Sequence, residues 1–479
     1  MSAQPEMKQQ PIVKLPEAFH PTRFKNDANQ LVLTIRGLPA VLLNWSQTGI
    51  GFELPPDASP LKEGTRFTAI SLTCGDIELY RGDIEVRWSG PGESGGTYYG
   101  AAFASGPFAV DTVDAALEVN RTARALASDA GEMEAVDPGF CQSVLALSAG
   151  LRATREACAA QEAALKLLPQ DRRREAERVF LSEMARKVRT VFVHFNVKIS
   201  EQVEVEKLPE DSRYHRVFRE EIYPYFEGAD LIRRAYEKPR GYAGDYEMMN
   251  QIYRDGFEGT DLFGKILHHY IANENSGESV KFRKLYLYGF YCKALERAGE
   301  QNVLSVACGP AVEYQEAVSL WRPEDLSRVR VTLFDLDREA LEHVQARVLE
   351  LADRRKVEPR VVYVNASVKS FLYANAHTHE KFDLIYSAGL FDYLDNLTSA
   401  ALVRKFSAML KPGGTLVIGN FTHANLTKAF LHLLTRWTLI HKSEQEMLNW
   451  TTGIEGCTAE IQFDQLKMNA FLVLRRGEQ

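Results

Sequence analysis

The sequence predicts a multidomain chain with an N-terminal antiparallel β-barrel, a helical middle region and a C-terminal α/β domain. Three observations carry that reading. Short apolar runs separated by turn residues fill roughly the first hundred positions, and apolar residues then repeat at threes and fours. From Asn302 an apolar strand runs into a small-residue turn that opens a helix, and a second strand ends in acid at Asp335, as in nucleotide-binding βαβ units. The expected divisions are a flexible N-terminus over 1–19, the barrel over 20–110, helices over 111–235, a lid with further helices over 236–298, and the α/β core over 299–479.

A chain of 479 residues exceeds one ordinary core. With 45% hydrophobic and 25% charged residues it reads as globular, with no apolar run of membrane-spanning length and no signal-peptide core, so a cytoplasmic protein is expected. The net charge of -7 argues against nucleic acid as a partner, because a phosphate backbone needs a basic face. Six scattered cysteines form no CxxC pair, and His377/His379 and His268/His269 lack a third ligand at metal spacing, so no metal site is expected.

In the barrel, runs at 31–35, 40–43, 67–72, 84–88 and 98–103 alternate with Gly, Pro, Asp and Ser turns. Asn44, Ser46 and Gly49 match a (D/N)xSxxG pattern, and Tyr99-Gly-Ala-Ala-Phe103 follows as a closing strand. This region resembles PilZ domains, which implies cyclic di-GMP as a regulatory ligand. Such receptors hold it with two arginines four residues apart, because guanidinium is planar and bidentate. Here Arg23 has Phe19 before it and Asp27 after it. A docking barrel without ligand is therefore the favoured expectation, with Asn44 and Ser46 bonding local backbone and Gly49 supplying positive φ.

Phe140, Val144, Leu147, Leu151 and Cys158, then Val179, Phe180, Met184, Val188, Val191, Phe192 and Phe195, place apolar faces on two long helices. A bundle packed on its neighbours is favoured over a dimer seam; a homodimer and a protein partner through this region or the barrel stay open. Pro209 breaks the helical run. A polar-aromatic loop follows, with Arg240, Tyr242, Asp245 and Tyr246 crowded between glycines, suited to a lid over the α/β core. Asp245 as a helix cap and Tyr242 as a buried hydroxyl are the structural alternatives.

In the core, Ala307, Gly309, Pro310 and Ala311 form a turn with one glycine, which suits a bulky adenosine ligand without a pyrophosphate. Asp335 is placed to accept both ribose hydroxyls. The turn, Asp335, the strand leading to Asn365, Ala366 and Ser367, the segment from Lys381 to Tyr393, and the run from Leu410 to Ile418 resemble, in order, the motifs of class I S-adenosylmethionine-dependent methyltransferases. The resemblance implies a Rossmann-like domain, S-adenosylmethionine as cofactor, and cofactor contacts at those residues with Glu313, Leu336 and Ser387. Ser305 and Ala307 depart from the usual acid and first glycine. The stretch Tyr236–Met249, with Val280–Arg283, is similar to bacterial proteins assigned to biosynthesis of an extracellular factor, 3-hydroxypalmitic acid methyl ester, a quorum-sensing signal. That implies a fatty-acid-like acceptor.

A carboxylate acceptor is already ionised at neutral pH and needs no base. Arg240 or Arg283 would orient it, or hold the cofactor's own carboxylate. A hydroxyl or amine acceptor would use Asp392 or Tyr393, with Asn420 and Phe421 on the acceptor side. The rival expectation is a non-catalytic signalling adaptor with degenerate ligand domains.

Overall fold

The computed structural model describes residues 13–14, 24–25, 31–35, 38–46, 48–54, 61–74, 77–91, 97–106, 108, 113, 116–117, 136–209, 212–373, 380–425 and 428–478. Arg23, Phe19, Asp27, His377 and His379 lie outside them. The chain divides into two compact units, one of residues 18–135 and one of residues 1–17 with 136–479.

The smaller unit is an antiparallel barrel. Six strands close it in the order Leu38–Trp45, Val32–Ile35, Arg66–Cys74, Ile77–Pro91, Thr97–Phe103 and Gly49–Leu54, the last pairing back onto the first; Phe24–Lys25 adds two residues beside Trp45 and Asn44. Closure removes the exposed edges that an open sheet would leave. Leu33, Ile50, Phe52, Ile70, Leu72, Ile84 and Val86 are fully buried inside it. Gly49 does not adopt the expected positive φ. Its strand instead lies so close to its neighbour that an added Cβ would stand 2.3 Å from the Ala101 carbonyl oxygen. Ser46 does bond local backbone: its hydroxyl accepts the Gly49 N–H at 3.2 Å. Asn44 reaches past Gly51 of the intervening strand and donates to the Tyr98 hydroxyl at 2.9 Å.

In the larger unit the two expected long helices are Pro138–Lys166 and Gln170–Gln202. Phe140, Val144, Leu147, Leu151 and Cys158 are buried, as are Val188 and Phe192. Val179 is exposed, which leaves the apolar face of the second helix narrower than its sequence suggests. These faces share one core with Phe218, Ile222, Leu231, Ile266, Leu267 and Phe430. The helices therefore form a bundle continuous with those that precede and follow the α/β core.

The eight-stranded sheet of this unit runs in the order 13–14, 360–365, 329–335, 301–306, 382–387, 410–421, 469–476 and 457–463. All pairings are parallel except those of the last two strands. Val303, Val331, Leu333, Ile385, Val417 and Val473 are fully buried, the near-continuous apolar signature of strands covered on both faces. Chain order reverses between Gln301–Val306 and Phe382–Ser387. In such sheets that reversal opens a crevice at the carboxyl ends of the strands.

Candidate functional site

Strand Gln301–Val306 ends in a turn whose backbone is left-handed at Ala307, Gly309 and Ala311, with φ of 53°, 52° and 43°. Two alanines thus hold a conformation that usually costs an L-residue about 1 kcal/mol or more, and strain of this kind concentrates at ligand sites. An added Cβ at Gly309 would meet nothing within 4 Å, so the turn presents bare backbone to open space. Opposite it, Asp335 ends the next strand. Its two carboxylate oxygens accept the backbone N–H groups of Gly309 and Asp337, each at 2.8 Å. Burial pushes its pKa up to about 6, opposed by those two hydrogen bonds.

Ala307, Gly309, Pro310, Ala311, Glu313, Asp335, Leu336, Ala366, Ser367 and Arg283 line one cavity of about 940 Å³. Leu336 is an apolar side chain left 68% exposed beside the acid, available to pack on a flat ring. Glu313 is buried and accepts the Tyr386 hydroxyl at 2.5 Å, and burial raises its pKa. Asn365 and Ser387 stand behind the wall. Asn365 donates to the carbonyls of Asp335 and Leu336, at 3.1 and 2.8 Å, bracing the acid's strand, and Ser387 is fully buried in its own strand.

Arg283 comes from the helix Asn275–Leu295 and is 6% exposed. Its guanidinium lies against Gly389, with Asp392 at 3.6 Å, while its Nε and Nη1 have no hydrogen-bond partner. A buried guanidinium with idle donors is suited to a carboxylate. Asp392 also lines the cavity and accepts the Phe421 N–H at 2.6 Å; burial pushes its pKa up to about 7 against the pull of Arg283.

The loop over 238–245 packs on the start of helix Arg338–Arg355. Lys238, Gly241 and Gly244 are left-handed, and between them Arg240 reaches Glu339 at 2.5 Å, Asp337 at 3.4 Å and the face of the Tyr246 ring at 4.6 Å. The Tyr242 hydroxyl donates to Asp337 at 3.4 Å. The Tyr393 hydroxyl donates to the Ala243 carbonyl at 3.1 Å and accepts the Trp437 indole N–H at 2.9 Å. Arg240, Tyr242, Tyr246, Tyr393 and Phe421 all face the cavity. Asp245 does not: it caps helix Tyr246–Arg254 through the Met248 N–H and pairs with Arg234 at 2.8 Å. Asn420, fully buried, ties the Phe421 and Ile440 carbonyls together.

The far lobe of the cavity holds residues that no motif announced. Glu206, Lys428, His432, Trp437 and His441 line it beside Leu231, Ile271 and Leu439. Glu206 lies more than two hundred residues before the other four, so only the folded chain assembles them. No group of three metal-ligating side chains occurs among the described residues, and none of their helices is long and apolar enough to cross a membrane.

Residues 303–414 match a family described as a methyltransferase domain. The chain is 25% identical over 212 residues to a chemotaxis protein methyltransferase of Salmonella typhimurium, covering 36% of this chain and 74% of that one. Similar solved structures include N-methyltransferase NodS from Bradyrhizobium japonicum with S-adenosyl-L-homocysteine, at 20% identity and TM-score 0.28 over 40% of this chain and 87% of that chain. Magnesium protoporphyrin IX methyltransferase from Synechocystis, also with S-adenosyl-L-homocysteine, has 10% identity and TM-score 0.34 over 52% and 100%. The chain carries an S-adenosylmethionine-dependent methyltransferase domain.

Proposed function

We propose that this enzyme transfers the methyl group of S-adenosylmethionine to a small or lipid-like carboxylic acid, giving a methyl ester and S-adenosylhomocysteine. The carrying observation is that one cavity is lined both by the bare turn with Asp335 and by apolar side chains of the helical layer, including Leu231, Ile252, Ile271 and Val280. At about 940 Å³ it stands at the top of the roughly 300–1,000 Å³ range of small-molecule sites, with room for an acceptor beside the cofactor.

In this reading Asp335 takes the ribose hydroxyls, Leu336, Ala366 and Ser367 flank the adenine, and Arg283 takes the amino-acid carboxylate. When bound, the cofactor supplies a methyl carbon activated by its sulfonium. The protein's work is then alignment and exclusion of water. Arg240 and Tyr242 hold the lid onto Asp337 and Glu339, and Tyr393 with Trp437 pins its other end. The acid oxygen is the nucleophile and needs no base at neutral pH.

The barrel, in the same reading, docks or regulates the enzyme rather than acting chemically, and the protein works in the cytoplasm. Calorimetric titration of S-adenosylmethionine, followed by mass spectrometry of methyl esters formed from a series of 3-hydroxy and unsubstituted fatty acids, tests the whole of it. Cofactor binding without any ester would remove the acid acceptor. Absence of cofactor binding would favour the adaptor.

A further inference from the structure

A carboxylate acceptor needs no base, yet the acceptor lobe contains a residue suited to be one. His441 is 8% exposed, lines the cavity, and has no hydrogen-bond partner on either ring nitrogen. Buried polar atoms are nearly always paired. An unpaired imidazole in a cavity wall therefore marks a place for a ligand's polar group. The backbone fixes where the ring stands: Ile440 N–H donates to the Asp392 carbonyl at 2.7 Å, and Lys442 N–H to the Phe421 carbonyl at 3.0 Å. His441 is thus held between the segment that follows strand Phe382–Ser387 and the end of the neighbouring strand Leu410–Phe421. Its Nδ1 lies 3.6 Å from the Glu206 carboxylate, which also pairs with Lys428.

We propose that His441, backed by Glu206, is a proton acceptor that lets the same cavity methylate a second class of substrate, apolar compounds bearing a hydroxyl or an amine. The proposal rests on the S-adenosylmethionine reading but not on the acid acceptor. With Nδ1–H turned to Glu206, Nε2 offers its lone pair to the acceptor's O–H or N–H. The acceptor heteroatom attacks the methyl carbon, the carbon–sulfur bond breaks with its electron pair passing to sulfur, and the acceptor's proton passes to Nε2. The products are the methyl ether or methylamine, S-adenosylhomocysteine, and an imidazolium beside Glu206 that returns its proton to water. Burial and the nearby Lys428 push the His441 pKa down to about 4, so the ring is neutral and its lone pair free at neutral pH.

The test uses the full chain, methyl-tritiated S-adenosylmethionine, and octylphenol, decanol, decylamine and decanoate as probes. Wild type is expected to label at least one of the three protic probes. General-base catalysis contributes about 10²–10⁴-fold, so in His441→Phe labelling of the protic probe should fall about 100-fold or more while cofactor affinity is retained. Glu206→Gln should lower the same labelling less steeply. The proposal is overturned if a protein that binds cofactor labels none of the protic probes, or if His441→Phe leaves that labelling unchanged. Failure of wild type to bind cofactor would overturn both this proposal and the reading beneath it.

Discussion

The Gly309 backbone N–H and the Asp335 carboxylate meet at 2.8 Å, joining the ends of two adjacent strands. The acid is thereby aimed into the cavity with its oxygens fixed. Because burial has raised its pKa to about 6, the ionised form that best accepts two ribose hydroxyls is lost as pH falls through 6. The sign for stability is the reverse. The unfolded chain ionises this group from about pH 4, so stability declines between about pH 4 and 6 and the penalty persists above. Cofactor affinity should weaken up to about tenfold per pH unit below 6, and Asp335→Asn should flatten that dependence at a lower plateau. Calorimetry between pH 5 and 8 checks both.

Arg240 is the clamp of the lid, and its strongest partner, Glu339, is 65% exposed on the side-chain scale. Exposed pairs are screened by salt and contribute modestly, so under the proposed lid role this contact is weak enough to break when the loop opens. Arg240→Ala is expected to speed S-adenosylhomocysteine release by about tenfold, which corresponds to roughly 1.4 kcal/mol, and to remove its salt dependence, with the melting temperature little changed. Stopped-flow displacement at low and high salt measures this. An unchanged release rate would mean that the loop does not gate the site.

The order of elements was legible because it rests on local signals. The strand-turn-helix around Gly309, the acid at Asp335 and the apolar periods at Phe140–Leu151 each speak through a few neighbouring residues. What stayed hidden depends on distant pairing. The helix cap at Asp245 is one of two readings its local sequence offers, but its pairing with Arg234 gives no signal. His441 gives no sequence signal, because its importance comes from Glu206, more than two hundred residues earlier. The helices over 138–202 read as a bundle packed on its neighbours, but nothing in their own sequence shows that Phe430, beyond the matched domain, completes their core.

In the barrel, the close approach at Gly49 is to backbone, which cannot swing aside. Gly49→Ala should therefore destabilise the barrel on the order of 3 kcal/mol. Asn44→Ala, which removes one hydrogen bond to Tyr98, should cost only about 1 kcal/mol. Denaturant unfolding of the full chain, followed by Trp45 and Trp88 fluorescence, separates the two. Equal effects would show that the motif serves a ligand more than the packing of strands. Cyclic di-GMP titrated into the wild type is expected to give no saturation at micromolar concentration, since only Arg23 of the arginine pair is present.

Arg283 is the clearest test of how the site divides between its two ligands. Its idle Nε and Nη1 donors are buried, and Asp392 at 3.6 Å balances its charge without occupying those donors. Charge-assisted hydrogen bonds contribute about 1.5–3 kcal/mol each, so losing a carboxylate partner here should be readily measured. Arg283→Met is expected to weaken S-adenosylmethionine binding by roughly 10–100-fold, with a smaller effect on adenosine, which lacks the amino-acid carboxylate. Asp392→Asn should not copy this pattern, because it removes the neighbouring acid and leaves the guanidinium in place. Should Arg283→Met instead raise only the KM of the acid acceptor, the guanidinium would belong to the acceptor. The cofactor's carboxylate would then be held nearer the left-handed turn at Ala307–Ala311.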